Sequence, residues 1–393
     1  MSKNLILLDD NTWSNLLPLT YTRPVSEVRI GILTIKEKWQ HYFKVNASYQ
    51  CKDYLSEKYP AIHKAENLYI NSCILPDDKI VAAIKKLKVG EGYRKGNILI
   101  AYCTGDAITE STAIISECKE WDKEVFCIRN VWDLFSRNGE AIKNDFALLT
   151  KGKRSQPLSK TNTLIGKKNL LFIEKGAKIE ASILNTNSGP IYIGKDAEIM
   201  EGSVVRGPFA LCEESVLKMS AKVYGPTTIG PHSKVGGEVN NSVIFGYSNK
   251  AHDGFLGNSV IGEWCNLGAD TNNSNLKNNY GNVKLFNYSE NDMVDTGLQF
   301  CGLIMGDHSK CGINTMFNTG TVVGVGANIF GGGFPPTHIP SFTWGGAEAA
   351  STYRLDKMFE TADRVYARRH MKLENAEKEI LEYIFNETAD YRK

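Results

Sequence analysis

The sequence predicts two architectures in tandem, an α/β domain followed by a parallel β-helix built of six-residue repeats, with helices at the C-terminus. Three observations predict this. Short apolar runs alternate with helical patterns over residues 1–150. From about residue 165 an aliphatic side chain recurs at every sixth position. Beyond residue 349 that beat stops and helical spacing takes over.

In the first part, the runs Leu5–Leu8, Leu68–Ile70, Ile98–Ala101 and Val125–Ile128 have the length and composition of buried strands. Between them lie stretches such as Asp77–Val89, with apolar residues at Ile80, Val81, Ala83, Ile84 and Leu87. Strands alternating with helices imply an α/β layer fold with a mostly parallel sheet. Lys151–Lys160 is polar with one proline and reads as a linker, so the domain takes 1–150 and the linker 151–164.

In the second part, residues 165–348, every sixth residue from Ile193 is aliphatic: Ile199, Val205, Leu211, Leu217, Val223, Ile229 and Val235 follow. Ile173 and Ile179 keep the same step upstream. It returns as Phe255, Ile261, Leu267, and then as Met305, Cys311, Phe317, Val323, Ile329. Neither the helix period of 3.6 nor the strand period of 2 produces six, whereas a β-helix coil with three flat faces does. Each hexad sends one aliphatic side chain inward to stack on its counterparts in adjacent coils. Glycine follows the aliphatic residue at Gly194, Gly230, Gly262, Gly268, Gly306, Gly312 and Gly324, as expected where a small residue permits a tight corner. In residues 349–393, Leu355, Met358, Phe359, Ala362, Val365 and Tyr366 recur at helical spacing, as do Ala376, Ile380, Ile384 and Phe385. These helices are expected to cap the solenoid.

Composition narrows the function. At 42% hydrophobic, 23% charged and a net charge of +2, the chain has no basic block to hold nucleic acid and no run long enough to span a membrane. Its nine cysteines are scattered without a C-x-x-C pair, which argues for reduced thiols in a cytoplasm and against a zinc site; no metal ligands are assigned.

The hexads break between Leu267 and Met305, in a tract dense in asparagine. Just ahead runs Y-S-N-K-A-H-D-G-F-L-G-N-S-V-I-G-E-W-C-N-L-G-A-D-T-N-N-S-N. This stretch resembles the left-handed β-helix acyltransferases. It aligns without a gap to the acetyltransferase half of the GlmU-like family, the bifunctional N-acetylglucosamine-1-phosphate uridylyltransferase/glucosamine-1-phosphate acetyltransferases. The resemblance places His252 on the family's catalytic base, which takes a proton from a sugar amine attacking an acetyl thioester. Imidazole suits that task because it titrates near neutrality. Asn275 falls on an acceptor contact and Ala269 on the wall nearest the thioester, so acetyl-CoA or another acyl-CoA is implied as co-substrate. The tract's Asn272, Asn273, Asn275, Asn278 and Asn279 are expected to offer uncharged hydrogen-bonding groups beside the histidine. The acceptor site differs from the family's at Asn240, which replaces a phosphate-binding lysine, and at Phe255, which replaces a tyrosine. The family's phosphate-holding arginine has no clean counterpart, although Arg206 lies about one coil upstream.

The start, L-L-D-D-N-T-W-S-N-L-L-P-L-T-Y-T-R-P-V, resembles sugar-1-phosphate nucleotidyltransferases, whose α/β domain is Rossmann-like, through Pro18, Leu19, Thr20, Arg23 and Pro24. Where that family has glycines closing on a triphosphate, this chain has Asn11 and Trp13, and Val25 replaces its lysine. Cys73 stands on the magnesium-holding aspartate, so if Mg2+ serves this domain it lacks one ligand. Asp10, Arg23 and Arg29 are the remaining candidates for nucleotide contacts.

Together the resemblances imply a divergent, sugar nucleotidyltransferase-like branch of that bifunctional family. The expected protein is a sugar-nucleotide-pathway transferase, an acyl-CoA-dependent acyltransferase on a sugar, sugar phosphate or nucleotide sugar, fused to a diverged nucleotidyltransferase and assembled as a homotrimer. Two alternatives stand beside it. One is a non-catalytic nucleotide-sugar-binding or regulatory protein that keeps both folds. The other is a nucleotidyltransferase alone.

Overall fold

A computed structural model describes residues 3–108 and 114–392. Its contacts cluster into two units. The first holds the residues up to Leu16, Thr20–Val28 and Leu33–Asn130, and the second holds Leu17–Leu19, Arg29–Ile32 and everything from Val131.

The first unit is built on a six-stranded sheet. Its strands are β1 (Asn4–Leu8), β2 (Ala47–Gln50), β3 (Asn67–Asn71), β4 (Glu91–Lys95), β5 (Ile98–Thr104) and β6 (Lys119–Glu120), ordered β2-β1-β3-β5-β4-β6. Leu5, Ile6 and Leu7 are fully buried, as a strand covered on both faces requires. β2, β1 and β3 run parallel, but β5 is antiparallel to both neighbours, so the sheet is more mixed than the alternation of elements suggested. The cause is local: only Gly96 and Asn97 join β4 to β5, and Gly96 has φ +56°, so the chain folds straight back as a hairpin. The expected helix at 77–89 is the shorter Asp78–Ile84, capped by the Asp77 carboxylate, which accepts from the amides of Lys79 and Ile80.

The second unit is a solenoid of short strands in three sheets of ten, nine and six, parallel throughout except for the last strand of the ten, Ala350–Thr352, which pairs antiparallel. The hexad side chains do point inward. Ile193, Val205, Leu211, Leu217, Ile229 and Val235 are fully buried, as are Met305 and Val323. One step is out of phase: Phe255 is half-buried on the outer face, and Leu256 fills the core instead. Ile244, Lys250 and Leu256 therefore keep the six-residue step among themselves, although Ile244 comes nine residues after Val235.

The corner glycines have a different role from the one expected of them. Gly194, Gly268 and their equivalents do not take left-handed dihedrals. The residue two positions on does: Asp196, His232, Trp264, Asp270, His308 and Asn314 all have φ between +55° and +61°. What the glycine supplies is closeness. A Cβ on Gly268 would stand 2.4 Å from the backbone of Gly312 in the next coil, and one on Gly194 would stand 2.6 Å from the amide of Glu213.

Three of those corner residues are aromatic and stack across coils, joined by Tyr247. His232 lies 4.7 Å from Tyr247, Tyr247 lies 4.2 Å from Trp264, and Trp264 lies 4.0 Å from Tyr366 of the helix Leu355–Ala367. That helix buries Met358, Ala362 and Tyr366, so it runs along this corner of the solenoid, while Phe385 of the helix Asn375–Glu387 packs on Phe342 near the last coil. An earlier helix, Asn138–Thr150, also belongs to this unit; its Asn138 and Asp145 side chains accept from the amides of Gly31 and Ile32. Among the described residues, no helix is long and apolar enough to cross a membrane.

Candidate functional site

In the solenoid, strand Asn249–Lys250 ends one face and strand Phe255–Gly257 begins the next. Residues 251–254 make the corner between them, and His252 sits on it, exposed. Among the described residues, no side chain hydrogen-bonds its ring. The corner itself is well held. Gly254 has φ +115°, and a Cβ there would lie 2.1 Å from the Thr271 carbonyl oxygen. The Asp270 amide donates to the Asp253 carbonyl at 3.0 Å. Ala269 therefore stands in the corner of the following coil, alongside the bend that carries His252, and its own carbonyl accepts from the Asn314 amide.

The six-stranded sheet carries the remaining acceptor candidates on its outer face. Register places Glu238 beside Phe255 and Asn240 beside Gly257, with Tyr224 beside Asn240 on the other side. Asn275 reaches in from the inserted loop: its Nδ2 donates to Asn258 Oδ1 at 2.8 Å. A Cβ on Gly257 would lie 2.5 Å from the Phe255 ring and 2.6 Å from Asn275 Nδ2, so the bare glycine lets these two side chains converge. Asn240, Phe255 and Asn275 thus gather next to the His252 corner. Arg206 faces outward in the same sheet, exposed, but two coils before Asn240 rather than the one expected, roughly 10 Å at the usual strand spacing. Two further outward residues, Lys222 and Tyr224, lie between them, with Lys222 Nζ 3.9 Å from Glu238. The strict in-out alternation of three-residue strands is the signal that could have found them.

Only part of the asparagine tract serves this site. Asn272 Oδ1 accepts from the Phe255 amide at 2.8 Å, and Asn273 bonds both the amide and the carbonyl of Gly257. These two side chains take the place of a backbone ladder, and the six-stranded sheet ends at Phe255–Gly257 for that reason. Asn278 and Asn279 are exposed in the loop, where Asn279 accepts from the Gly281 amide. The tract's first purpose is therefore to join a coil to an insertion.

In the first unit, Asp9 and Asp10 leave the carboxyl end of β1, the usual place for a ligand in an α/β sheet. Asp10 is already engaged: it accepts from the Thr12 amide at 2.8 Å and from Asn71 Nδ2 at 2.7 Å. Asp9 accepts from the Val25 amide, and burial raises its pKa to about 7. Trp13 fills the loop. Its indole donates to the Thr20 carbonyl at 2.9 Å, Thr20 Oγ1 donates back to the Trp13 carbonyl, and Tyr21 and Tyr54 meet it edge-on. Arg23 is 5% exposed, with Nη2 3.5 Å from Thr22 Oγ1. Arg29 belongs to the second unit and donates to the Ile32 carbonyl. The Cys73 thiol lies 2.8 Å from that of Cys127, and its pKa is pushed up by that hydrogen bond first and by burial second. Among the described residues no group of three His, Cys, Asp or Glu side chains is placed to hold a metal ion, and Cys73 stands where an aspartate was expected. This donor set does not fit a magnesium ion held by the chain.

Residues 5–154 match the family model described as sugar nucleotidyl transferase. A bifunctional sugar-1-phosphate nucleotidylyltransferase/acetyltransferase of Sulfurisphaera tokodaii is 30% identical over 166 residues, 42% of this chain and 40% of that protein. The bifunctional protein GlmU of Methanocaldococcus jannaschii is 37% identical over 87 residues, 22% of this chain and 21% of that protein. The chain thus matches 40% or less of the length of these relatives. Among solved structures, a UDP-N-acetylglucosamine acyltransferase of Francisella novicida covers 58% of this chain and 87% of its own at 9% identity, with a TM-score of 0.29. By sequence, the chain is similar to the bifunctional GlmU and sugar-1-phosphate nucleotidylyltransferase/acetyltransferase proteins, at modest identity and over part of their length.

Proposed function

We propose that this chain is a transferase of a sugar-nucleotide pathway, and that its solenoid moves an acyl group from acyl-CoA to an amine of a sugar, sugar phosphate or nucleotide sugar. The observation that supports this most is the convergence of Asn240, Phe255 and Asn275 beside an exposed His252, with Ala269 in the adjoining corner. In the reaction the amine nitrogen bonds to the thioester carbonyl carbon. His252 Nε2 or Nδ1 takes the proton that nitrogen sheds, the C–S bond breaks, and the proton passes on to the departing thiolate. Asn275 and Asn240 hold acceptor hydroxyls, and the Phe255 ring supplies an apolar wall. Arg206 and Lys222 are the cations on this face for a phosphate or diphosphate.

The face also exposes a line of apolar residues, Ile165, Ile183, Val204 and Tyr224, which supports a homotrimer in which neighbouring solenoids cover it. Nine free cysteines suit a reducing cytoplasm. Titration calorimetry with acetyl-CoA tests the reading: a saturable isotherm is expected, and His252→Ala should lower kcat roughly 10²- to 10⁴-fold. A flat trace at millimolar cofactor would overturn it.

For the first unit the Trp13 anchor favours a second reading, a domain that binds a nucleotide sugar without turning it over, because the loop that would cradle a triphosphate is filled by an indole. Binding of a nucleotide sugar with no pyrophosphate release supports that reading; release of pyrophosphate would restore nucleotidyl transfer, with Asp10 and Arg23 as its candidate contacts in this unit.

A further inference from the structure

The ten-stranded sheet sends one side chain per coil into the solenoid core. In order along the axis these are Ile179, Ile199, Leu217, Val235, Lys250, Leu267, Cys311 and Ile329. A single lysine interrupts the column. It is 2% exposed and sits at the hexad position, six residues after Ile244 and six before Leu256. An aliphatic side chain there would cost nothing in desolvation, whereas a buried ammonium does. A local rule broken inside an otherwise consistent core points to a functional reason.

Its hydrogen bonds show what the lysine reaches. Nζ donates to the Gly236 carbonyl at 3.0 Å, in the preceding coil, and to the His252 carbonyl at 2.8 Å. Gly237 makes room for it: φ is +71°, and a Cβ there would lie 2.9 Å from Nζ. Asp253 and Asp270 are the charged groups that attract it from the two stacked corners. The far side of the bend is held by Gly254 against Thr271 and by the Asp270 amide on Asp253. The near side is held by Lys250.

We propose that Lys250 is a positioning residue: from inside the solenoid its ammonium ties the backbone of His252 to the preceding coil and so fixes the bend that presents the imidazole. The proposal rests on His252 being the base of the acyl transfer. Lys250 itself has no access to substrate, so its effect reaches the chemistry through the His252 backbone alone.

The test is Lys250→Met, which restores an apolar column, with Lys250→Leu as a second variant. Both should melt no lower than the wild type. The amides of Asp270 and Glu238, which donate to the carbonyls of Asp253 and Gly254, should exchange hydrogen at least about tenfold faster, while the Val216 amide on Ser233, two strands away, should not change. In the acyl-transfer assay kcat should fall about 10- to 100-fold with the KM for acyl-CoA nearly unchanged, as loss of alignment predicts. A folded variant with unchanged exchange and kcat overturns the proposal. So does failure of both variants to fold, which would make the lysine a structural brace of the whole coil. If the wild type transfers no acyl group, the acyltransferase reading falls, and the exchange measurement still decides whether Lys250 holds the bend.

Discussion

Asp9 is a residue whose charge state the fold controls. Burial raises its carboxyl to about 7, against an unfolded value near 3.9. The folded state therefore holds a proton that the unfolded chain gives up. The stabilisation this brings is complete below about pH 4 and is lost as pH rises through 7. Asp9→Asn should thus be more stable than the wild type at pH 8, by roughly 1–2 kcal/mol once partial exposure is allowed for, and no more stable at pH 4. Denaturant titrations at the two pH values give the difference. Gly268 makes the complementary case, in which volume decides. Gly268→Ala would drive a methyl into the Gly312 backbone, and a loss of about 1–3 kcal/mol is expected by the same measurement.

At the scale of elements, the aromatic ladder is what attaches the helix Leu355–Ala367 to the solenoid. Trp264 is 5% exposed, stacked on Tyr247 below and Tyr366 beside it. Trp264→Ala should cost about 3–5 kcal/mol, and limited proteolysis should then cleave within 349–393 before the solenoid is touched. Sequence spacing identified the helix but not its berth. Val365 and Tyr366 recur with the right period for any apolar surface, whereas the surface they meet is made by Tyr247 and Trp264, residues that the hexad count passes over because they occupy corners. The same limit applies to the corner glycines. Their placement after seven of the hexad residues was legible, but their purpose, the contact with the next coil, depends on residues 14 to 45 positions away.

At the scale of the molecule, the second unit was the more readable. Stacked coils repeat one set of contacts, so a one-dimensional pattern carries nearly all of the three-dimensional information. The reading slipped by one residue only at Phe255, just before the insertion. In the first unit, sheet order comes from a two-residue hairpin and from long-range pairing, and the parallel expectation held at β2–β1, β1–β3 and β4–β6 but not on either side of β5. The site shows the same contrast. His252, Asn240, Phe255 and Asn275 are candidates named through their resemblance to a known stretch. Lys222, Tyr224 and Lys250 needed the register, Lys250 because the hexad count was one residue out of phase there. Val204→Glu places a charge in the middle of the outer apolar line. If copies of the chain cover that line, light scattering should show the trimer dissociating to monomers with the solenoid still folded.

Most rungs of this structure are main-chain bonds, short and stiff. At Phe255 and Gly257 they are amide arms with rotatable joints, belonging to Asn272 and Asn273. Pulled from its two ends in an optical trap, the rod should part first at that seam, leaving the coils on either side intact.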